Sequence, residues 1–361
     1  MEKLPELGKI HPEFFKRVIF PRLGKSDSSV IVKPQHGVDF GVVDVDGGNV
    51  MVLSTDPFYI AKELGIEKAA WFAVHILASD VAVSGIRPRY LAVDLNLPPE
   101  MTEEELTRMW HTVHLECKKL GIAVVTGHTA RYAGCNYPMV GGATVFGIDK
   151  KARLIRPKIN AGDAIIVSKG PAIETTGLMA AYFPEFLEKR YGKPFVKKAQ
   201  GMYYQMSTVK DALVAARAGG VTAMHDATEC GVFGGLYEMA AHSSVGINIY
   251  VDDIILQDAV KKTCECFGID PYCAISEGTL LATAKRNRAA AVVRALKGEG
   301  IPASIAGEAT PKKDGLYVFE NGSRRRLEHP KIDPFWGKFE EYLRRVERRE
   351  YRVQRTGKNR E

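Results

Sequence analysis

The sequence predicts a two-domain protein, an α+β sheet domain followed by an α/β domain, and three observations point to it. The chain has 361 residues, enough for two domains that each bury a core. Its first half sets two β-branched runs on either side of a glycine turn, then a helix that is apolar nearly all round. Its second half alternates strand-like runs with helices, beginning at RPKINAGDAIIVSKGP. The expected divisions are residues 1–155, residues 156–335 and a basic helical tail at 336–361.

IHPEFFKRVIFPRLG reads as an amphipathic helix stopped by Pro21 and Gly24, with Phe14, Phe15, Val18 and Ile19 facing the body. GVDFGVVDVDGGNVMVLSTDPF reads as a hairpin turning at Asp46-Gly47-Gly48-Asn49. With Gly47-Gly48 as a two-residue loop, Asp39 falls opposite Asp56 on the next strand. Two carboxylates so placed repel, and a divalent cation between them removes the cost. A register turning on Asp46-Gly47 would separate them instead. KAAWFAVHILASDVAVS is a buried helix, and its Asp80 lies on a stripe that should be desolvated. A carboxyl there must be paired, metal-bound or protonated.

GIRPRYLAVDLNLPP gives a strand, and MTEEELTRMWHTVHLECKKLG a long amphipathic helix opened by a capping box, Thr102 with Glu105. In VVTGHTARY a β-branched run ends at Gly127, and His128 stands just past it, where α/β domains often carry their chemistry. Ligand, base and turn residue are the three readings of His128. GGVTAMHDATECGVFGGLYEMAA repeats the arrangement in the second half. A strand ends at His225-Asp226, and Thr228 can cap a helix whose start is lined by Gly231, Gly234 and Gly235. Backbone N–H groups at such a start favour phosphate, with Asp226 holding a cation beside it. No Walker-type loop and no complete G-x-G-x-x-G follows a strand, so the usual nucleotide folds lose support.

Composition narrows the class. Hydrophobic residues make up 45% and charged residues 26%, as in a soluble globular protein. No apolar window is long enough to span a bilayer, and MEKLPELGKI has no secretory apolar core, so a cytoplasmic protein is the expectation. The net charge of +7 is modest. KFEEYLRRVERREYRVQRTGKNRE alternates Glu with Arg at helical spacing, and reads as a solvated, salt-bridge-laced terminal helix rather than a nucleic-acid-binding tail, since no nucleic-acid motif accompanies it. Six cysteines form no zinc pattern and read mostly as small buried hydrophobes.

In order and spacing these pieces resemble one superfamily, that of aminoimidazole ribonucleotide synthetase (PurM-like), thiamine-monophosphate kinase, selenophosphate synthetase and the hydrogenase-maturation dehydratase (HypE-like). The matching stretches are GVDFGVV, STD, SDVAVSGIRPRYL, TGHT, GDAIIVSKG, HDATECGVFGGLYEMA and SEGTLL, spread over residues 35–310. The similarity is nearest to the hydrogenase-maturation branch. It implies an N-terminal domain that pairs with a second copy through its sheet, giving a homodimer. It also implies ATP in a cleft, held by magnesium on aspartates that here would be Asp39, Asp56, Asp80 and Asp226. Two positions depart from the pattern. Where the superfamily has Gly-Asp-Thr this chain has Gly127-His128-Thr129, which puts His128 in a ligand position and shifts the expected metal from Mg²⁺ towards Mn²⁺. The cysteine that closes the hydrogenase-maturation enzymes has no counterpart after Cys273.

These readings lead to an expected enzyme, a metal-dependent phosphatase or nucleotide hydrolase that transfers phosphoryl groups to water. Its metal ligands would be Asp39, Asp56, Asp80, His128 and Asp226, and its catalytic groups Asp80 and Glu277. Thr129, Arg131, Thr228 and Gly231 would contact the phosphate or nucleotide. The alternatives are an ATP-dependent transferase or dehydratase acting with a partner protein, and a nucleotide-binding assembly factor without chemistry of its own.

Overall fold

A computed structural model describes residue 10 and residues 12–357. Six strands form the first sheet: β1 (Val30–Val32), β2 (Gly41–Asp44), β3 (Asn49–Tyr59), β4 (Tyr90–Leu97), β5 (Ala123–Arg131) and β6 (Met139–Lys150). Their order is β1-β2-β3-β6-β4-β5, and only β4 and β5 run parallel. Seven more strands form the second sheet: β7 (Ala164–Ser168), β8 (Val221–Asp226), β9 (Gly246–Tyr250), β10 (Leu280–Ala284), β11 (Ala303–Thr310), β12 (Leu316–Glu320) and β13 (Ser323–Arg326). Their order is β13-β12-β9-β11-β7-β10-β8, antiparallel except where β12 meets β9. The protein is therefore a two-domain α+β structure.

The helix Ile66–Ala82 joins the halves. Val74, Leu77, Ala78 and Val81 belong to one continuous core with Val50 and Val52 of the first sheet and Ile166, Met224 and Ala282 of the second. A helix packed on several sides must be apolar on several sides, which explains its uniform composition. The helix Glu103–Leu120 packs beside it and opens on the capping box: Glu105 N–H donates to Thr102 Oγ1 at 3.1 Å, and Thr102 N–H to Glu105 Oε2 at 2.9 Å.

Local readings are corrected at four places. The hairpin loop has three residues, Asp46, Gly47 and Gly48, all with positive φ (69°, 59° and 73°), closed by Val45 N–H donating to Asn49 O. The register then pairs Gly41 with Leu53, so Asp39 does not face Asp56; it precedes β2 and turns to the second domain. At the N-terminus, residues 15–19 form a wide turn rather than a regular helix, and Ile19 stays 41% exposed instead of facing the body. His128 is not beyond a strand end, because β5 continues through it to Arg131. The C-terminal helix Pro334–Gly357 is not simply solvated. Phe335 and Tyr342 are buried, and Trp336, Phe339, Leu343 and Val346 pack on the same core cluster. Its outer face does carry the expected ion pairs, Arg344 with Glu340 and Arg345 with Glu341.

Candidate functional site

A cleft with a cavity of about 460 Å³ lies where the N-terminal sheet, the helix Ile66–Ala82, the second domain and the C-terminal helix meet. Along β3 the buried residues alternate, Val50, Val52 and Phe58, and this places Ser54 and Asp56 on the face turned to that helix. Asp80 sits in the last turn of the helix, and Ser54 Oγ donates to its Oδ2 at 2.7 Å. Burial, then the charges of Asp226, Asp56 and Asp39 in that order, push the Asp80 carboxyl well above the usual carboxylate range. Aspartates from three other segments thus act on Asp80, with Asp39, Asp56 and Asp80 on the cleft lining and Asp226 fully buried outside it, and a cluster of like charge asks for cations.

His225, which the sequence marks only as a strand end with no role in a site, closes the arrangement. Its Nδ1 lies 2.6 Å from Asp39. Burial opposes charging the ring, but Asp39 chiefly, with Asp226 and Glu238, outweighs it and raises the imidazole to about 9. Asp39, His225 and Asp226 offer ligand atoms that all lie within 4.8 Å of one another. A donor set dominated by carboxylate oxygens suits a hard divalent cation. The residue was visible in the sequence as the neighbour of Asp226, yet nothing local tied it to a partner 186 residues away.

A second carboxylate group lines the cleft above this floor: Glu174, Glu229 and Glu277. Glu277 N–H donates to Glu174 Oε2 at 3.1 Å. Burial, with Asp333, Glu229 and Asp226, nevertheless raises Glu174 to about 8. Asp333, which accepts from Cys230 N–H and Phe335 N–H, is raised to about 6, mainly by burial. The remaining wall is apolar and aromatic, with Tyr59, Phe72, Ile76, Tyr182, Trp336 and Phe339. Apolar walls over a charged floor make room for a flat, weakly polar group next to phosphates.

Several predicted residues fall elsewhere. His128 pairs in register with Asp94, which is exposed between the buried Val93 and Leu95, so both point away from the buried helix. It also lies on the edge strand, three strands from β3, roughly 14 Å at the usual spacing. Its Nε2 is 2.9 Å from Tyr132 Oη. Within one chain His128 does not join the aspartates, and the argument for Mn²⁺ that rested on it lapses. Thr129 is on the same edge strand and exposed, outside the cleft lining. Arg131 donates to Met101 O at 2.7 Å and so holds the start of a helix instead of a phosphate. Thr228 lines the cleft but does not cap; Cys230 takes the N-cap position, without a side-chain hydrogen bond. Gly231 N–H donates to Thr228 O, and Phe233 N–H to Tyr272 O, so this helix start does not offer those donors to a ligand. Gly231 has φ +58°, and a Cβ there would come 2.5 Å from Ala274 O, so close packing explains that glycine.

The domain models named "AIR synthase related protein, N-terminal domain" and "C-terminal domain" match residues 37–149 and 160–318. A putative hydrogenase expression/formation protein of Methanocaldococcus jannaschii is 27% identical over 341 residues, covering 91% of this chain and 96% of the relative. Carbamoyl dehydratase HypE of Escherichia coli K12 is 29% identical, covering 71% of this chain and 75% of the relative. Among solved structures, a HypE–HypF complex superposes with a TM-score of 0.70 at 20% identity over 88% of this chain and 99% of that one. A HypE in complex with ATP gives 0.63 at 20% identity, over 90% and 93%. These relatives correct the expectation of phosphoryl transfer to water, because they carry the names of carbamoyl dehydratases and hydrogenase-maturation proteins, and not of phosphatases. Both halves of the chain carry the paired domains of one family, and the protein belongs to the AIR synthase-related family.

Proposed function

We propose that the cleft binds ATP and uses it to remove the elements of water from a carbamoyl group presented by a partner protein. The observation that carries this reading is the convergence of Asp39, Asp56 and the buried Asp226 on Asp80, in a cleft with an aromatic wall. The names of the relatives, carbamoyl dehydratases and an ATP complex, give the reaction class. Divalent cations on the aspartates would neutralise the phosphate oxygens of bound nucleotide. The γ-phosphoryl group passes to the carbamoyl oxygen, forming an O–P bond and releasing ADP. The C–O bond then breaks, inorganic phosphate leaves with that oxygen, and the nitrogen loses two protons to become a nitrile nitrogen. Glu277, in the cleft wall, is positioned to accept a proton, while Glu174 stays protonated at neutral pH and can donate a hydrogen bond. Asp80 holds the floor.

No cysteine lines the cleft among the described residues, so the carbamoyl carrier comes from outside it. That favours the partner-dependent reading over a free-standing one, as does the solved complex of one HypE with HypF. ADP formation should be measured with Mg²⁺, for the protein alone and with a HypF protein added. Slow turnover alone that rises with the partner supports the reading; bound ATP recovered intact under both conditions overturns it. We also infer a homodimer through the N-terminal sheet. Val124 and Val125 on the edge strand β5 are 41% and 50% exposed, and Trp110 and Leu115 of the adjoining helix are 37% and 39% exposed. Val125→Arg should convert a dimer to a monomer in analytical ultracentrifugation, and a wild-type chain that sediments as a monomer removes the inference.

A further inference from the structure

A second cavity, larger than the cleft, opens at the junction of the two domains. Its volume is about 760 Å³, and four separate stretches of chain line it: 85–87, 149–156, 213–217 and 220–222. The first two belong to the N-terminal domain, the turn between the helix Ile66–Ala82 and β4 and the end of β6 with the chain beyond it; the last two are the end of the helix Val209–Ala218 and the start of β8. Four arginines, Arg87, Arg153, Arg156 and Arg217, face one carboxylate, Asp149. Asp149 is already bonded to Arg153 at 2.9 Å. Among the described residues, Arg87, Arg156 and Arg217 have no side-chain hydrogen bond or ion pair. The floor between them is apolar, built from Leu154, Ile155, Leu213, Ala216 and Val221.

The four arginines are solvent-exposed, so water screens their mutual repulsion, and an anion seated among them gains from several guanidinium groups at once. The guanidinium fork matches phosphate oxygens two at a time. The volume lies within the range of about 300–1,000 Å³ usual for small-molecule sites. Gly85 (φ +78°) lets the chain pass close to the lining residue Ile155, where a Cβ would come 3.0 Å from Cδ1.

We propose that this junction cavity binds a phosphorylated small molecule with an apolar body, its phosphates on Arg87, Arg156 and Arg217 and its body on the Leu154–Leu213 floor. The site is independent of the aspartate cleft and of the function proposed for it, and its ligand would touch both domains at once. The two sites differ in sign, which separates them experimentally. The aspartate cleft repels phosphates unless divalent cations are present, whereas the arginine cavity holds them without metal.

Binding of ATP and of inorganic tripolyphosphate should be measured by calorimetry in excess EDTA at low salt. Saturable one-to-one binding is expected, with ATP at least as tight as tripolyphosphate. Arg87→Ala with Arg217→Ala should weaken it about tenfold or more, the loss of two charge-assisted contacts. Arg156→Glu, a change at an exposed linker position, should do the same, and unchanged melting curves show that each variant folds. Asp80→Asn with Asp226→Asn should leave the metal-free binding intact. No saturable binding in EDTA, or binding lost in the aspartate variant and kept in the arginine variants, overturns the site. A polyglutamate peptide that binds while tripolyphosphate does not also overturns it, in favour of a docking surface for acidic protein.

Discussion

His225 of the second sheet and Asp39 of the N-terminal domain, 186 residues apart in sequence, meet at 2.6 Å beneath the cleft. The pair fastens the two domains where the aspartates converge, and both side chains are largely buried, at 5% and 11% exposure. Removing one partner of a buried charge pair leaves the other uncompensated, a loss of about 3 kcal/mol in comparable pairs. His225→Ala should therefore destabilise the metal-free protein by about that much in urea unfolding. Adding Asp39→Asn should restore part of the loss. Strictly additive single and double variants would mean the contact carries no coupling.

Asp80 stands in the opposite position, since its nearest charges are of its own sign. Asp80→Asn removes a repelled carboxyl while its amide oxygen can still accept from Ser54. In EDTA the variant should melt higher than wild type at pH 7. The stabilisation that Mg²⁺ gives the wild type should shrink or vanish in the variant. A lower melting temperature in EDTA would show that Asp80 is held by favourable contacts and not by cations.

Much of this site was legible from sequence because the signals were local. Asp80 announced itself as a carboxylate on an apolar helix, and GVD, STD and HDATEC each put an acid beside a strand run. The hairpin register was not legible, because Asp46-Gly47-Gly48 supports loops of two or three residues and the third positive φ decided it. His128 misled for a related reason: a β-branched run followed by glycine suggests a strand end, whereas β5 pairs with β4 through Arg131. Glu174 and the His225–Asp39 contact depend on packing between distant segments, which no local pattern encodes. The tail misled through averages, since its Arg and Glu content masks Trp336 and Phe339, which line the cleft.

Glu174 makes stability depend on pH in a direction that can be checked. Its folded value of about 8 is far above that of an exposed glutamate, so between about 4.5 and 8 the folded state binds the extra proton. Stability contributed by this group is present at low pH and is lost as pH rises towards 8. Asp333, raised to about 6, adds a loss of the same sign at lower pH. Glu174→Gln keeps an oxygen for Glu277 N–H and cannot ionise. In EDTA its melting temperature should therefore be flatter than wild type from pH 5 to 8 and higher at pH 8. Parallel pH profiles for the two proteins would exclude Glu174 as the source.

Phe339 tests whether the C-terminal helix is part of the cleft or only lies beside it. Its ring packs 4.8 Å from Tyr182 and 5.3 Å from Phe183, and it lines the cavity together with Trp336. Phe339→Ala removes an aromatic wall and should cost about 2 kcal/mol, less than a fully buried ring because the site is partly open. Amide exchange should quicken over 334–348 while the buried helix 66–82 keeps its protection, since the two belong mainly to different core clusters. ATP affinity in Mg²⁺ should fall severalfold in step, because the stacked wall and the cleft are one surface. Faster exchange with unchanged ATP affinity would instead assign the helix a purely structural part and leave the aromatic wall to Tyr59, Phe72 and Tyr182.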